Sequence, residues 1–166
     1  MVKLGEISKS IEKQTKGLIK SGYICINDYH LKSHIPDKHY KELSLLGMDP
    51  LEYVKYIAGN FIEIRDGSAK SFLLVSPHHS IEYRNVAAIT MEYVDDGEYW
   101  EVCTAQPRSV KRLEKRKLIW SKKIKSLTEV NDFIEGAHPS QHPTTDIANL
   151  TYYADFLSVV SASRAL

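Results

Sequence analysis

Cysteine is scarce in this chain of 166 residues, which contains only Cys25 and Cys103 and no Cys-x-x-Cys pair. Both cysteines lie in short apolar segments, so we predict two free thiols rather than a disulfide. A zinc site would need more ligands at closer spacing, and no histidine belongs to a His-Glu-x-x-His pattern. We therefore predict that the protein uses no metal ion and no cofactor.

Long apolar runs are also missing from the sequence. No stretch approaches the roughly 18 consecutive apolar residues that a membrane helix requires. The N-terminal residues MVKLGEISKS lack the apolar core of a secretion signal. We therefore predict no membrane partner and a cytoplasmic location, where a protein delivered from another cell also acts. The composition, 43% hydrophobic and 26% charged, is that of an ordinary globular domain with a sizeable core.

Net charge is small, because 22 lysines and arginines are balanced by 21 aspartates and glutamates. The positive charge is nevertheless concentrated in residues 108–125, the cationic segment, which contain nine basic residues and one acidic residue, Glu114. The cationic segment therefore carries about +8, and the rest of the chain carries about −7. Such segregation favours binding of a polyanion. A solvated charged helix face gives the same pattern and is the alternative interpretation.

Apolar periodicity predicts helices in the first part of the chain and strands after it. The predicted helices are residues 5–20, 36–46, which Gly47 ends, and 50–59, which Asp49 caps. The predicted strands are residues 23–26, a hairpin of 61–65 with 71–75, and a second hairpin of 86–94 with 99–104. The cationic segment is predicted to begin as a helix near Pro107 and to end as a strand at residues 118–120.

These elements predict an α+β fold with N-terminal helices, then a roughly four-stranded antiparallel sheet, then a C-terminal helical tail. Residues 1–126 are the predicted domain. Residues 127–166 are predicted to be a helical C-terminal extension, in which residues 146–160 form an amphipathic helix that packs on the domain or on a partner.

Histidines are numerous for this length, with seven in the chain, and three of them lie between His30 and His39. Imidazole titrates near neutral pH and can remove a proton from an attacking RNA 2′-hydroxyl or protonate the leaving 5′-oxygen. We predict His34 and His39 as these catalytic groups. Thr104 ends a predicted strand just ahead of the cationic segment and is predicted to donate to a phosphate oxygen. The alternatives are helix-surface histidines and an ordinary strand threonine.

The order of short motifs resembles the barnase–EndoU–colicin–RelE-like nuclease superfamily, which includes phage-borne and toxin-type RNase domains. The resemblance covers residues 23–121 and rests on His34-Ile35-Pro36-Asp37-Lys38-His39, on Trp100-Glu101-Val102-Cys103-Thr104-Ala105 and on Leu118-Ile119-Trp120. It implies metal-independent RNase activity, N-terminal helices and a four-stranded antiparallel sheet. It also implies acid or base roles for the histidines and phosphate contact by the threonine. The low net charge and the C-terminal extension depart from the superfamily pattern.

The predicted function is therefore a metal-independent endoribonuclease of toxin type, with RNA as substrate and a cognate inhibitor or immunity protein as a further partner. The predicted RNA-binding residues are Lys38, Arg108, Lys111, Arg112, Lys115 and Arg116. Trp100 and Trp120 either stack on a base or pack in the core. The alternative functions are a non-catalytic RNA- or protein-binding module and an immunity or assembly protein.

Overall fold

The structure is a computed structural model, and it describes residues 1–45, 47, 49–76 and 85–122. The predicted C-terminal extension, residues 127–166, lies outside these residues. The strands are β1 (Val2–Ile7), β2 (Gly22–Ile26), β3 (Glu63–Asp66), β4 (Ser71–Ser76), β5 (Asn85–Val94), β6 (Tyr99–Ala105), β7 (Arg108–Ser109) and β8 (Leu118–Ser121). The helices are α1 (Lys9–Gln14), α2 (Ile35–Leu45), α3 (Pro50–Asn60) and α4 (Val110–Leu113), and a π-helical turn, His30–His34, leads directly into α2.

Seven strands form one mixed sheet in the order β1-β2-β6-β5-β4-β3-β8, and the short β7 pairs with β5. Strand β2 runs parallel to β6, whereas every other described strand pair is antiparallel. The predicted fold, N-terminal helices followed by a roughly four-stranded antiparallel sheet and a helical tail, is therefore wrong. The described chain begins with a strand, and its four helices are short. The tail itself lies outside the described residues.

The N-terminus is one place where the predicted secondary structure was wrong. The predicted helix 5–20 is a strand, β1, followed by the six-residue helix α1, because the Ser8 side chain caps the helix by accepting from the Ile11 amide at 3.3 Å. Gly5 in β1 lies against α3, where a Cβ atom would sit 2.7 Å from the Ala58 carbonyl oxygen. Close packing of β1 on α3 thus depends on a residue without a side chain.

Elements with strong local signals agree with the predictions. Helix α3 begins with a capping box in which Asp49 and Glu52 each bond the other's backbone amide. The two predicted hairpins are present as β3–β4 and β5–β6. The predicted strands at 23–26 and 118–120 are β2 and β8. Within the part of the chain described here, no helix has the length and apolar character needed to cross a membrane.

The sheet has two faces of different character, which follow from the strand register because directly paired residues point to the same side. One face, the apolar face, packs with α3 into the core and is centred on Trp100, which contacts Phe72 and Tyr93 edge to face. The other face, the polar face, carries a cross-strand row of residues. That row consists of Arg65, Leu73, Thr90 and Thr104, on β3, β4, β5 and β6 respectively.

Candidate functional site

Thr104 reaches the polar face through an irregularity in β6. Thr104 pairs with Thr90 and Val102 pairs with Met91, so Cys103 is an extra residue in the β5–β6 ladder. A bulge of this kind redirects the side chains that follow it. As a result, Val102 is buried in the core while Thr104 is half-buried on the opposite side of the sheet.

His39 meets Thr104 from helix α2. The helix is kinked at His39, whose backbone is not helical (φ −124°, ψ 15°). The imidazole Nε2 lies 3.0 Å from the Thr104 hydroxyl oxygen, which is hydrogen-bond distance. The donor in this bond depends on the imidazole tautomer. Two residues that are 65 positions apart in the sequence, and were predicted separately, therefore lie in contact.

His34 belongs to a different contact, with His30. The two rings pack edge to face with centroids 5.3 Å apart, and Tyr29 lies beside both rings. The Nδ1 atom of His30 is buried and has no hydrogen-bond partner among the described residues. Burial lowers the pKa of His30 and the neighbouring His34 lowers it further, whereas Glu101 acts in the opposite direction. His30 is thus a half-buried imidazole that favours its neutral form.

Asn27 ties the π-helical turn to the sheet. Its side-chain oxygen accepts a hydrogen bond from the His30 backbone amide at 2.8 Å, and its side-chain amide donates to the Glu101 carboxylate. The sequence predictions did not identify Asn27 or Glu101 as part of a site. The alternation of Trp100, Glu101 and Val102 was the available signal, since it places Glu101 on the face opposite the core.

Four basic residues of the cationic segment line one cleft of about 440 Å³, the cationic cleft, over an apolar floor. The basic residues are Arg108, Arg112, Lys115 and Arg116, and the floor is Leu73 and Leu113. Burial lowers the pKa of Arg108 from its usual range, and Arg116 and Arg112 lower it further, while Tyr53 raises it. The cationic cleft therefore concentrates positive charge at close range.

A buried ion pair beneath the cationic cleft holds the cationic segment in place. Arg65 is 4% exposed and donates from Nε to the fully buried Glu63 carboxylate at 2.7 Å. Its Nη1 atom also donates to the carbonyl oxygens of Leu113 at 3.2 Å and Arg116 at 2.9 Å. Arg116 in turn donates to the Gly67 carbonyl at 3.0 Å. Arg65 thus satisfies backbone acceptors of the segment that would otherwise be left unpaired.

The His39–Thr104 pair and the cationic cleft share the polar face. Leu73 in the cleft floor pairs with Thr90, and Thr90 pairs with Thr104. Neighbouring strands are about 4.8 Å apart, so Leu73 and Thr104 are separated by roughly 10 Å across the sheet. A bound polyanion lying along this row would contact both features.

Other predicted residues have different positions. Lys38 is exposed beside His39, and Lys111 is exposed without lining the cationic cleft. Trp100 is 1% exposed and donates to the Lys20 carbonyl, so it packs in the core. Trp120 contacts Phe61 and donates to the Gln14 side chain, on the side of the sheet away from Thr104. The other four histidines of the chain, which were not predicted as site residues, lie outside the described residues: His78, His79, His138 and His142.

The two cysteines are free and half-buried, as predicted for their thiol state. Burial, followed by the nearby Glu92 and Glu101 carboxylates, raises the pKa of Cys103 to about 11, so this thiol is a poor nucleophile at neutral pH. Among the described residues, no group of three or more histidine, cysteine, aspartate or glutamate side chains is arranged to hold a metal ion.

Comparison of the chain with known proteins gives no matching family model, no matching curated protein and no matching solved structure.

Proposed function

We propose that this protein is a metal-independent endoribonuclease of toxin type that cleaves RNA by attack of the 2′-hydroxyl. The observation that supports the proposal is the 3.0 Å contact of His39 with Thr104 on the sheet face that also carries the cationic cleft. An imidazole, a hydroxyl donor and a concentration of positive charge are three of the parts that this reaction uses, and a second imidazole is needed for the second proton transfer.

His39 is the proposed acid or base at the scissile phosphate, and Nδ1 is the nitrogen proposed to exchange a proton with RNA, because Nε2 bonds to Thr104. In this reaction the 2′-oxygen loses a proton as it attacks phosphorus, and the leaving 5′-oxygen gains one, which gives a cyclic phosphate and a 5′-hydroxyl. When Nε2 of His39 carries a proton, it donates to the Thr104 oxygen, and the Thr104 hydroxyl proton is then free to donate to a non-bridging phosphate oxygen. Thr104 therefore stabilises the charge that develops on the phosphate.

The second proton transfer is assigned to His34. His34 is the last residue of the π-helical turn that leads into α2 and His39, and its ring contacts His30. His30 favours the neutral form, so it adds little positive charge beside His34. Glu101 and Asn27 fix the π-helical turn to β6, which keeps this pair of rings beside the strand that carries Thr104.

The cationic cleft is proposed to hold RNA phosphates that flank the scissile bond. Arginine presents a fork of donors that matches phosphate oxygens, and three of the four basic residues in the cleft are arginines. Single-stranded RNA is the favoured substrate, since its backbone can adopt the in-line geometry that the attack requires.

The test is cleavage of total RNA by the purified protein in EDTA, with analysis of the product ends. We expect 5′-hydroxyl ends together with cyclic or 3′-phosphate ends. His39→Ala is expected to lower the rate about 10²- to 10⁴-fold, the usual contribution of a positioned acid or base. Thr104→Val, which keeps the side-chain shape without the hydroxyl, is expected to lower kcat more than it raises KM.

Thr90→Val is the matched control, because Thr90 is the direct neighbour of Thr104 on the same face. Its kcat should stay close to that of the parent protein, and any effect of its position along the proposed RNA path should appear in KM. Equal cleavage by the parent and both site variants would contradict the assignment of His39 and Thr104. RNA binding without cleavage would instead identify a non-catalytic RNA-binding module. Expression in a bacterial host is a second test, since a toxin arrests growth and its His39→Ala variant does not.

A further inference from the structure

The positive charge of the cationic cleft is not balanced by acidic side chains in its lining. The described side chains that line it are three arginines, one lysine and two leucines, with no acidic group among them. The nearby Glu63 is fully buried and already paired with Arg65. Glu114, the acidic residue of the segment, is exposed and does not line the cleft. A ligand for this cleft must therefore supply negative charge itself.

A phosphate monoester meets this requirement better than a phosphodiester within a chain. A diester carries a single negative charge, whereas a terminal phosphate carries about −1.5 to −2 at neutral pH and has three strong acceptor oxygens. Arginine side chains bind such a group through paired hydrogen bonds. The cleft has a volume of about 440 Å³ over a floor of Leu73 and Leu113, so a compact phosphate headgroup fits within it.

The position of the cleft relates it to the proposed cleavage site. Leu73 lies roughly 10 Å from Thr104 across two strand spacings. One strand of a stacked nucleic acid advances about 3.4 Å per nucleotide, so this separation spans no more than about three nucleotides. A terminal phosphate in the cleft would thus place a bond close to that end at His39 and Thr104.

We propose that the cationic cleft is a binding site for the phosphate monoester at an RNA end. This inference rests on the proposed function. In a protein that cleaves RNA, binding of the RNA end directs cleavage to bonds near a phosphorylated terminus. A 5′-phosphate and a 3′-phosphate share the chemistry that the cleft recognises, and the experiment distinguishes them.

The deciding measurement is binding to the His39→Ala variant, so that cleavage does not interfere. Three short RNAs of one sequence are compared, with a 5′-phosphate, with a 3′-phosphate and with hydroxyls at both ends. We expect one phosphorylated form to bind about 10- to 100-fold more tightly than the hydroxyl form, the effect of one further charge-assisted hydrogen bond. Inorganic phosphate should compete with that form.

The variants Arg112→Gln and Lys115→Gln should remove the preference, while Lys55→Gln on the exposed side of α3 should keep it. Equal binding of all three RNAs would overturn the inference. Cleavage by the parent protein is measured separately on the same RNAs. Cleavage without an end preference in binding would contradict this inference but not the proposed function. An end preference in binding without any cleavage would contradict the proposed nuclease activity but not this inference.

Discussion

The His30 ring lies near two other ionisable side chains, His34 and Glu101. Its Nδ1 is buried without a hydrogen bond among the described residues, His34 packs against its ring, and Glu101 lies nearby. Burial is the main cause that lowers its pKa. A buried polar atom without a partner in native structures invites an explanation from function or from water, and here it has a measurable consequence for stability.

We predict that the free energy of unfolding falls as the pH is lowered below about 6.5, the ordinary pKa of histidine. In this pH range the unfolded chain binds a proton at His30 more readily than the folded protein does, so protonation favours unfolding. The free energy of unfolding continues to fall until the pH is below the pKa of His30 in the folded protein. Urea denaturation at several pH values between 8 and about 5 measures this slope.

His30→Phe tests the assignment, because phenylalanine keeps a ring beside His34 but cannot titrate. Its stability should depend less on pH than that of the parent protein over the same range. An unchanged slope in the variant would show that other groups cause the acid destabilisation.

At the scale of elements, the most accurate predictions concerned features that depend on residues close together in the chain. The capping box of Asp49 and Glu52 fixes the start of α3, and the Asp-Asp-Gly turn at residues 95–97 fixes the hairpin of β5 and β6. The wrong fold came from pairings between distant segments. The parallel contact of β2 with β6 and the addition of β8 to β3 join segments that are far apart in the sequence, and apolar periodicity does not assign such segments to one another.

The site shows the same limit. His39 and Thr104 were predicted from chemistry, because imidazole and hydroxyl groups suit phosphate transfer. Their contact requires a helix kink at His39 and the extra residue Cys103 in β6, and neither has a sequence signal. Arg65 was missed for a related reason, since its bonds to the Leu113 and Arg116 carbonyls join residues that are 48 and 51 positions apart in the sequence.

The Glu63–Arg65 pair links sheet stability to the cationic cleft. We predict that Arg65→Met lowers the free energy of unfolding by about 3 to 5 kcal/mol, because it leaves the Glu63 carboxylate buried without its partner. The double variant Glu63→Leu with Arg65→Met should lose much less, since no buried charge is left unpaired. Urea denaturation of both variants measures the difference.

The folded double variant then separates stability from function. The backbone acceptors of Leu113 and Arg116 lose their donor in this variant, so RNA binding should weaken although the protein is folded. Equal loss of stability in the single and double variants would contradict the role of the unpaired carboxylate. Undiminished RNA binding by the double variant would show that Arg65 does not position the cationic segment.

At the scale of the whole molecule, the distribution of charge matters more than its sum. The net charge is only +1, yet four cations converge on one cleft of the polar face while the apolar face is closed by the core. Local positive potential of this kind attracts a polyanion even when the protein as a whole is nearly neutral. Two sets of variants with the same net charge can therefore separate the effect of position from the effect of total charge.

The first set replaces Arg108, Arg112, Lys115 and Arg116 by glutamine, and the second replaces the exposed residues Lys9, Lys13, Lys16 and Lys55 by glutamine. Each phosphate contact with single-stranded RNA contributes about 0.7 to the slope of log affinity against log salt concentration. If each of the four side chains neutralises one phosphate, their loss should reduce that slope by about 2.8 in the cleft variant, and a cleft filled by one terminal phosphate should give a smaller reduction. The slope of the second variant should stay close to that of the parent protein, because those lysines lie on α1, α3 and the α1–β2 connection.

Fluorescence anisotropy of a labelled RNA at several salt concentrations measures both slopes. Equal reductions in the two variants would mean that RNA responds to total charge, and the cationic cleft would then have no special part in binding.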